Sequence, residues 1–232
     1  MNIVALRRTQ EFDPSRQAAA QVFERLREMI IALELAPGSV INRQALQSSF
    51  GLSSTPVRDA LIRLSEEGLV NIFPQSATRV SLIDVARARQ AQFLRRAVEQ
   101  EAVRILCGTP DKDFVPELRS IIERQKALAD KLDFHGFEVL DRDFHRQLYE
   151  AAGAPDLFVL VRQRSGHIDR IRRLHLPVAG KMQQIIRDHG QIVKAIAVGD
   201  GIKAQTLVRD HLSRSLAYSQ ALRDKNPTFF RD

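Results

Sequence analysis

Residues 43–70 read RQALQSSFGLSSTPVRDALIRLSEEGLV, and their pattern is that of two short amphipathic helices joined by a tight turn. The apolar positions that recur at helical spacing, and are predicted to pack the helices together, are Leu46, Val57, Leu61 and Leu64. Gly51 supplies the backbone freedom that a sharp turn between them needs. The stretch therefore predicts a helix-turn-helix, with helices at about 42–50 and 54–67.

The start of the second helix carries the side chains suited to reading DNA. Ser53 is predicted to cap this helix, and Pro56 in its first turn gives up an N–H that has no partner there. Ser54, Thr55 and Arg58 then lie at the N-terminal end, which enters the major groove in such motifs. Arginine suits this position because its planar fork can bond a guanine edge or a phosphate through two nitrogens.

The flanking segments complete a winged helix-turn-helix. A helix over 17–33 precedes it and ends at the breaker sequence of residues 36–38, Ala-Pro-Gly. Two short apolar strands, 69–73 and 79–82, surround a polar turn at 74–77 and predict a β-hairpin wing.

The remainder of the chain is predicted to be helical, which makes the fold class mainly α. Helices are expected at about 84–107, 111–132, 134–152, 155–175, 180–198 and 200–223, as an antiparallel six-helix bundle. The predicted organisation is a mobile tail over 1–16, a DNA-binding domain over 17–82 and an effector domain over 83–232.

Composition narrows the class of protein. With 44% hydrophobic and 27% charged residues, the chain resembles ordinary globular proteins, and no apolar run approaches the length of a membrane span. A lone cysteine, Cys107, and the lack of a secretory signal favour the cytoplasm. The net charge of +7 adds little to the DNA-binding prediction, because residues 1–82 hold nine Lys/Arg against eight Asp/Glu.

Four potential metal ligands lie on the apolar faces of three predicted bundle helices. Asp141 and His145 are four residues apart and share one helix face, while His189 and His211 lie on the faces of two later helices. Three imidazoles and one carboxylate suit zinc, nickel, iron or manganese. Periodicity alone leaves open whether each histidine is instead a hydrogen-bonded core residue.

The predicted helix over 155–175 places cationic side chains near its apolar stripe. Arg164 and His175 fall in the middle of that stripe and Arg172 at its margin. The arginines predicted to point elsewhere are Arg162, Arg170 and Arg173. A buried arginine needs an anionic partner, which is either an internal carboxylate or a bound anion.

The quoted motif resembles the reading head of the GntR family, in its FadR-like branch, over about residues 20–82. The resemblance implies a dimer that binds operator DNA, with a contact from Arg43 in addition to Arg58. The wing residues Ser76 and Arg79 complete the predicted DNA-contacting set.

Two positions depart from the pattern of this family. Arginine is usual where this chain has Ser54, and glycine is usual at the wing tip where it has Ala77. The commoner behaviour in the family is repression that a ligand relieves, so the resemblance implies a ligand-responsive repressor.

In FadR-like regulators the second domain is an FCD domain, and many members bind a metal through an Asp-x-x-x-His and two later histidines. Asp141, His145, His189 and His211 match that pattern in order. The resemblance implies a metal, zinc first, and a small organic acid that binds beside it. Arg95 matches a position that is often arginine in this domain and joins Arg164, Arg172 and His175 as predicted effector contacts.

Two alternatives remain at this stage. A metal-dependent hydrolase would use the same ligands, but the sequence lacks an HExxH motif, a phosphate-binding glycine loop and a nucleophile elbow, so we expect no enzyme. A regulator whose metal is purely structural, without a small ligand, is the other alternative.

Overall fold

The computed structural model describes residue 13 and residues 16–73 and 76–231. These residues form two compact units. The described residues up to Val85, together with those from Arg223 to Arg231, form the first unit, and Ala86–Leu222 form the second.

The first unit combines three helices with a small antiparallel sheet. Its elements are α1 (Ala18–Ile31), β1 (Val40–Ile41), α2 (Arg43–Phe50), α3 (Ser54–Glu66), β2 (Val70–Ile72) and β3 (Thr78–Val80). In the sheet, β3 lies between β1 and β2. The predicted winged helix-turn-helix is confirmed, with a third strand, β1, that is too short to produce a recognisable alternation. Pro74 and Gln75 of the predicted wing turn lie outside the described residues.

The predicted packing of the helix-turn-helix is confirmed. Leu46, Val57, Leu61 and Leu64 are all buried in one apolar core with residues of α1. A buried ion pair also joins α1 to the end of α3, with 2.8 Å between Arg27 Nε and Glu67 Oε2.

Two of the helix ends follow from side-chain and backbone chemistry. Asn42 caps α2, since its Oδ1 accepts a hydrogen bond from the Ala45 N–H at 3.0 Å. Gly51 ends α2 at a φ of 66°, a left-handed conformation that glycine adopts at low cost. The predicted capping bond of Ser53 is wrong: Ser53 occupies the N-cap position of α3, but its side chain makes no capping hydrogen bond.

Of the predicted tail, only Asp13 and Arg16 are described. Arg16 makes an exposed ion pair with Glu24 of α1 at 2.9 Å. The other residues of 1–16 lie outside the described part of the chain.

The second unit is helical throughout. The helices that form it are α4 (Val85–Gly108), α5 (Val115–Asp130), α6 (Phe134–Ala151), α7 (Pro155–Arg164), α8 (Gly166–His175), α9 (Lys181–Ala197), α10 (Gly201–Ala217) and α11 (Ser219–Lys225). In the bundle, α5 packs against α6 and α9, and α10 packs against α9 and α8. No helix within the described residues is long and apolar enough to cross a membrane.

The predicted single helix over 155–175 is wrong, because it is interrupted at Ser165. The Ser165 Oγ donates to the Val161 carbonyl at 2.7 Å, and Gly166 follows directly. A serine that bonds the preceding turn, next to a glycine, is a common cause of a break in a helix. The side chains of α7 and α8 therefore do not share one continuous apolar stripe.

The last described residues return to the first unit. After α11, a short 3₁₀ turn at Pro227–Phe229 leads to Phe230, which forms a parallel bridge with Ile83. The Ile83 N–H donates to the Phe229 carbonyl at 2.8 Å, and the Arg231 N–H donates to the Ile83 carbonyl at 2.9 Å. The predicted effector domain of 83–232 therefore includes residues, from Arg223 on, that the structure assigns to the first unit. The pairing of Phe230 with Ile83 joins residues far apart in the sequence, and no local pattern predicts it.

Candidate nucleic-acid interface and metal centre

The predicted reading residues of α3 are presented to solvent. Ser53, Ser54, Thr55 and Arg58 are all exposed at the N-terminal end of this helix. Within the part of the chain that the structure describes, the Arg58 guanidinium makes a single ion pair, a 3.7 Å contact of its Nε with the Asp59 Oδ1. These side chains are therefore free to meet base edges or phosphates.

A concave site of about 170 Å³ lies between α2 and α3, and we call it the reading recess. The residues that line it are Arg43, Gln47, Ser54, Thr55, Val57 and Arg58. Sequence reasoning missed Gln47, although it lies one turn after Arg43 on the same helix face.

Both predicted DNA-contacting residues of the wing are exposed. Ser76 is exposed and free to contact a partner. Arg79 is exposed too, and its guanidinium donates to the Gly38 carbonyl at 3.2 Å. Arg43 donates across to the wing, where its Nε and Nη2 lie 3.1 and 2.8 Å from the Thr78 Oγ1.

In the second unit, the structure brings the four predicted metal ligands together. Asp141 and His145 of α6, His189 of α9 and His211 of α10 are all buried, and their ligand atoms lie within 4.8 Å of one another. The Nε2 atoms of His145 and His211 are 3.4 Å apart, and the His189 Nε2 lies 3.6 Å from the Asp141 Oδ1. Two nitrogens bound to one zinc at about 2.05 Å and a tetrahedral angle would be about 3.3 Å apart, close to the first of these distances.

Each histidine is oriented by a partner on its other ring nitrogen. The Nδ1 of His145 lies 2.7 Å from the Glu99 Oε2. The Nδ1 of His189 lies 3.0 Å from the Gln125 Oε1, and that of His211 lies 3.3 Å from the Asp188 Oδ2. An acceptor at Nδ1 fixes the tautomer that leaves the Nε2 lone pair available for a metal. All three Nε2 atoms therefore face the cluster as potential ligands.

Two buried atoms of the cluster, the Asp141 Oδ1 and the His189 Nε2, have no hydrogen-bond partner among the described residues. Unsatisfied buried polar atoms are costly and call for a ligand or ion. Lone pairs that face each other from His145 and His211 impose the same requirement, since a cation between them would remove their repulsion. The donor set therefore fits a divalent transition metal.

The electrostatics of the cluster keep its ligands in their metal-binding forms. Burial and the charge of Arg95 lower the pKa of His145 to about 4, and burial lowers the pKa of His189 well below its usual value. Although burial opposes ionisation of Asp141, the Arg172 guanidinium, with a smaller contribution from Arg95, holds its pKa far below the usual range. Neutral imidazoles and an ionised carboxylate are the forms that bind a metal.

Sequence reasoning missed the partners Glu99, Gln125 and Asp188. Glu99 is fully buried and also accepts from the Arg95 Nε at 2.6 Å. Although burial opposes ionisation of this carboxyl, Arg95 and His145 lower its pKa to about 2. A signal for this pair was present, because Arg95 and Glu99 lie four residues apart on the face of α4 that also buries alanines. For Gln125 and Asp188, no local pattern distinguishes a partner of histidine from another polar helix residue.

Comparison with known proteins identifies the family. Residues 18–80 match the model for bacterial regulatory proteins of the gntR family, and residues 90–214 match the FCD domain. The chain belongs to the GntR family, with an FCD domain. It is 37% identical, over 90% of its length and 88% of the relative's, to a protein of Streptomyces ambofaciens described as an uncharacterized HTH-type transcriptional regulator.

Two further relatives extend the comparison to nearly the whole chain. The HTH-type transcriptional repressor RspR of Escherichia coli K12 is 24% identical, over 96% of this regulator and 97% of RspR. The structure of E. coli McbR/YncC superposes with a TM-score of 0.76 at 20% identity, covering 91% of this regulator and 99% of McbR/YncC, which shows a shared fold. The GntR domain implies DNA binding, and the regulator is not an enzyme, so the hydrolase alternative is not supported.

The predicted effector residues of the regulator fall in different environments. Arg172 of α8 is partly buried and makes an ion pair with the Asp141 Oδ2. His175 is buried, and its Nδ1 has no hydrogen-bond partner among the described residues. The centroids of the His175 and Tyr218 rings are 4.3 Å apart. Burial and the charge of Lys181 lower the pKa of His175 to about 4. Arg95 is buried against Glu99.

Two orientations predicted for this region are wrong. Arg164 is exposed at the end of α7 and does not point into the bundle, whereas Arg170 is fully buried on α8. The physical reason is the interruption at Ser165, which shifts the helical phase on which both predictions depended. The buried position of Arg170 is satisfied by the Gly166 carbonyl at 3.2 Å and the His167 Nδ1 at 3.0 Å.

Proposed function

We propose that this regulator is a cytoplasmic, metal-containing repressor that binds operator DNA as a dimer and responds to a small carboxylate in its second unit. The observation that carries the proposal is the buried cluster of Asp141, His145, His189 and His211. Two of its ligand atoms have no hydrogen-bond partner in the described part of a chain that also holds a winged helix-turn-helix. The metal would supply a Lewis acid to which a carboxylate oxygen can bind.

Zinc is the first candidate for this cluster, with nickel, iron and manganese as the others. Metal content is best measured by plasma mass spectrometry after removal of metal and reloading with each ion. We expect one ion per chain, and an ion held at 100 times its Kd should stabilise the regulator by about 2.7 kcal/mol.

Asp141→Asn is the variant of choice for this test, because it keeps the shape of the side chain and removes its charge. His135→Gln is a matched control, since His135 is exposed on the same helix. Equal metal content in Asp141→Asn and in the control would remove Asp141 from the proposed site.

The effector proposal is supported by cationic groups beside the cluster. Arg172 touches a proposed metal ligand, and a quarter of its side chain remains exposed. We propose that Arg172 and His175 contact an effector carboxylate. Arg95, already held by Glu99 through its Nε, would contribute positive charge in place of a direct contact.

A thermal-shift series with di- and tricarboxylates separates the sensor from a regulator with a structural metal. Metal should raise the melting temperature in both cases, whereas acids should raise it further only in a sensor. Arg172→Gln is expected to lose the acid-dependent shift, and Arg164→Gln, exposed on α7, should keep it. Loss in both variants would argue against a specific role for Arg172.

Dimer formation is supported by apolar side chains that the isolated chain leaves in solvent. On α7, Leu157, Val159 and Leu160 are all more than 40% exposed, and Phe93 of α4 is 74% exposed. We propose that a second copy of the chain covers these side chains. Sedimentation should give twice the 26.3 kDa of one chain, and Leu160→Asp should reduce that mass, unlike Leu132→Asp in the loop after α5.

Regulation would then be a population shift. An effector alters DNA binding only to the extent that it prefers one arrangement of the dimer over another. Operator fragments selected from random DNA should bind the wild type, bind Arg58→Ala more weakly, and be released when the active acid is added. An acid that strengthens binding would overturn the proposal that the effector relieves repression.

A further inference from the structure

One contact in the DNA-binding unit joins a predicted reading residue to the wing. Arg43 is the first residue of α2, and both its Nε and its Nη2 donate to the Thr78 Oγ1, at 3.1 and 2.8 Å. The remaining guanidinium nitrogen, Nη1, makes no hydrogen bond within the described residues, and Arg43 lines the reading recess. The guanidinium edge formed by Nε and Nη2 is thus fixed by Thr78, while Nη1 remains available for a hydrogen bond to a partner.

Thr78 is held more rigidly than the arginine it contacts. It opens β3, the middle strand of the sheet, and pairs with Ile41 of β1 on one side and Ile72 of β2 on the other. Its residue is only 3% exposed. A β-branched side chain at such a position has few rotamers, so its hydroxyl is a fixed acceptor.

Burial also excludes Thr78 from direct contact with DNA. An arginine free in solution has many rotamers, and ordering such a side chain on binding has a cost in free energy. When the Thr78 hydroxyl orders the guanidinium beforehand, that cost is removed from the binding step. The hydrogen bonds between Arg43 and Thr78 can therefore raise the affinity for DNA although Thr78 does not touch the DNA.

We propose that Thr78 is a positioning residue for DNA binding, which orients the Arg43 guanidinium from the wing so that its free edge faces the operator. The inference rests on the proposed function of the first unit. It assigns to the wing strand a role inside the helix-turn-helix, separate from any contact that Ser76 or Arg79 makes.

A double-variant cycle tests the proposal with four full-length proteins: wild type, Thr78→Val, Arg43→Ala and the combination. Binding to one operator, selected with the wild type, is measured by fluorescence anisotropy at fixed salt. Valine keeps the branched shape, so we expect Thr78→Val to weaken binding about 2- to 12-fold, the range expected for ordering one flexible side chain. In the Arg43→Ala background the same change should have no effect.

Thr78→Ser is the rescue variant, because it restores the hydroxyl and should bind like the wild type. An equal loss from Thr78→Val with and without Arg43 would overturn the proposal, since it would show that Thr78 acts through the sheet. No loss in the wild-type background would overturn it as well. If the wild type selects no operator at all, the proposed DNA-binding function fails, and the two failures are thereby distinguished.

Discussion

The buried pair Arg95–Glu99 offers a sharp test of the electrostatics of the second unit. Glu99 is fully buried, and its carboxylate accepts from the Arg95 Nε at 2.6 Å and the His145 Nδ1 at 2.7 Å. Glu99→Gln keeps an acceptor oxygen for the imidazole and removes the charge that balances Arg95. The change therefore isolates the ion pair from the orientation of the histidine.

Removal of one partner of a buried ion pair costs about 3–5 kcal/mol. We expect about 3 kcal/mol for Glu99→Gln in metal-free protein, at the lower end, because the charge of Asp141 also acts on Arg95. The double variant Arg95→Met/Glu99→Gln leaves no unpaired buried charge and should recover most of that loss.

Urea unfolding followed by tyrosine fluorescence measures this effect in the second unit. The chain has no tryptophan, and its two tyrosines, Tyr149 and Tyr218, both lie in that unit. With a slope of about 2 kcal/mol per molar urea, Glu99→Gln should lower the midpoint by about 1.5 M. A double variant less stable than Glu99→Gln would refute the reasoning.

Three further predictions concern the first unit, and each can be measured by hydrogen exchange of its amides. Glu67→Gln should destabilise it by about 3 kcal/mol because Arg27 loses its buried counter-charge, whereas Glu66→Gln, exposed beside it, should change little. Gly51→Ala should cost about 1–2 kcal/mol from the left-handed φ alone, since no atom of the described residues lies within 4 Å of an added Cβ. Phe230→Ala should cost about 3 kcal/mol in the first unit and leave protection of the second unchanged, a result that a loosely attached terminus would not give.

The sequence was most informative where structure depends on contiguous residues. The core positions of the helix-turn-helix follow from a 3.6-residue period within two short helices, and no distant contact is needed to place them. Conversely, Arg164 and Arg170 were placed wrongly because one interruption at Ser165 changes the phase of all that follows. Helical periodicity predicts the orientation of side chains only within one uninterrupted helix.

The candidate metal site also depends on contacts between helices, which local periodicity does not predict. Helical spacing placed Asp141 and His145 on one face, but the approach of His189 and His211 depended on the family resemblance. The partners of the imidazoles lie far away in sequence; Gln125, for example, is 64 residues from His189. Such pairs are set by tertiary packing, which a single sequence does not display.

The bridge between Ile83 and Phe230 has a consequence for the order in which the molecule is made. The ribosome synthesises Ile83 before the whole of Ala86–Leu222, and Phe230 only afterwards. During that interval the emerging DNA-binding unit lacks the segment around Phe230, and the backbone N–H and carbonyl of the buried Ile83 lack their partners in Phe229 and Arg231. Completion of the DNA-binding unit is thus delayed until the second unit has been translated, so a prematurely terminated chain would bear α3 on an incomplete first unit.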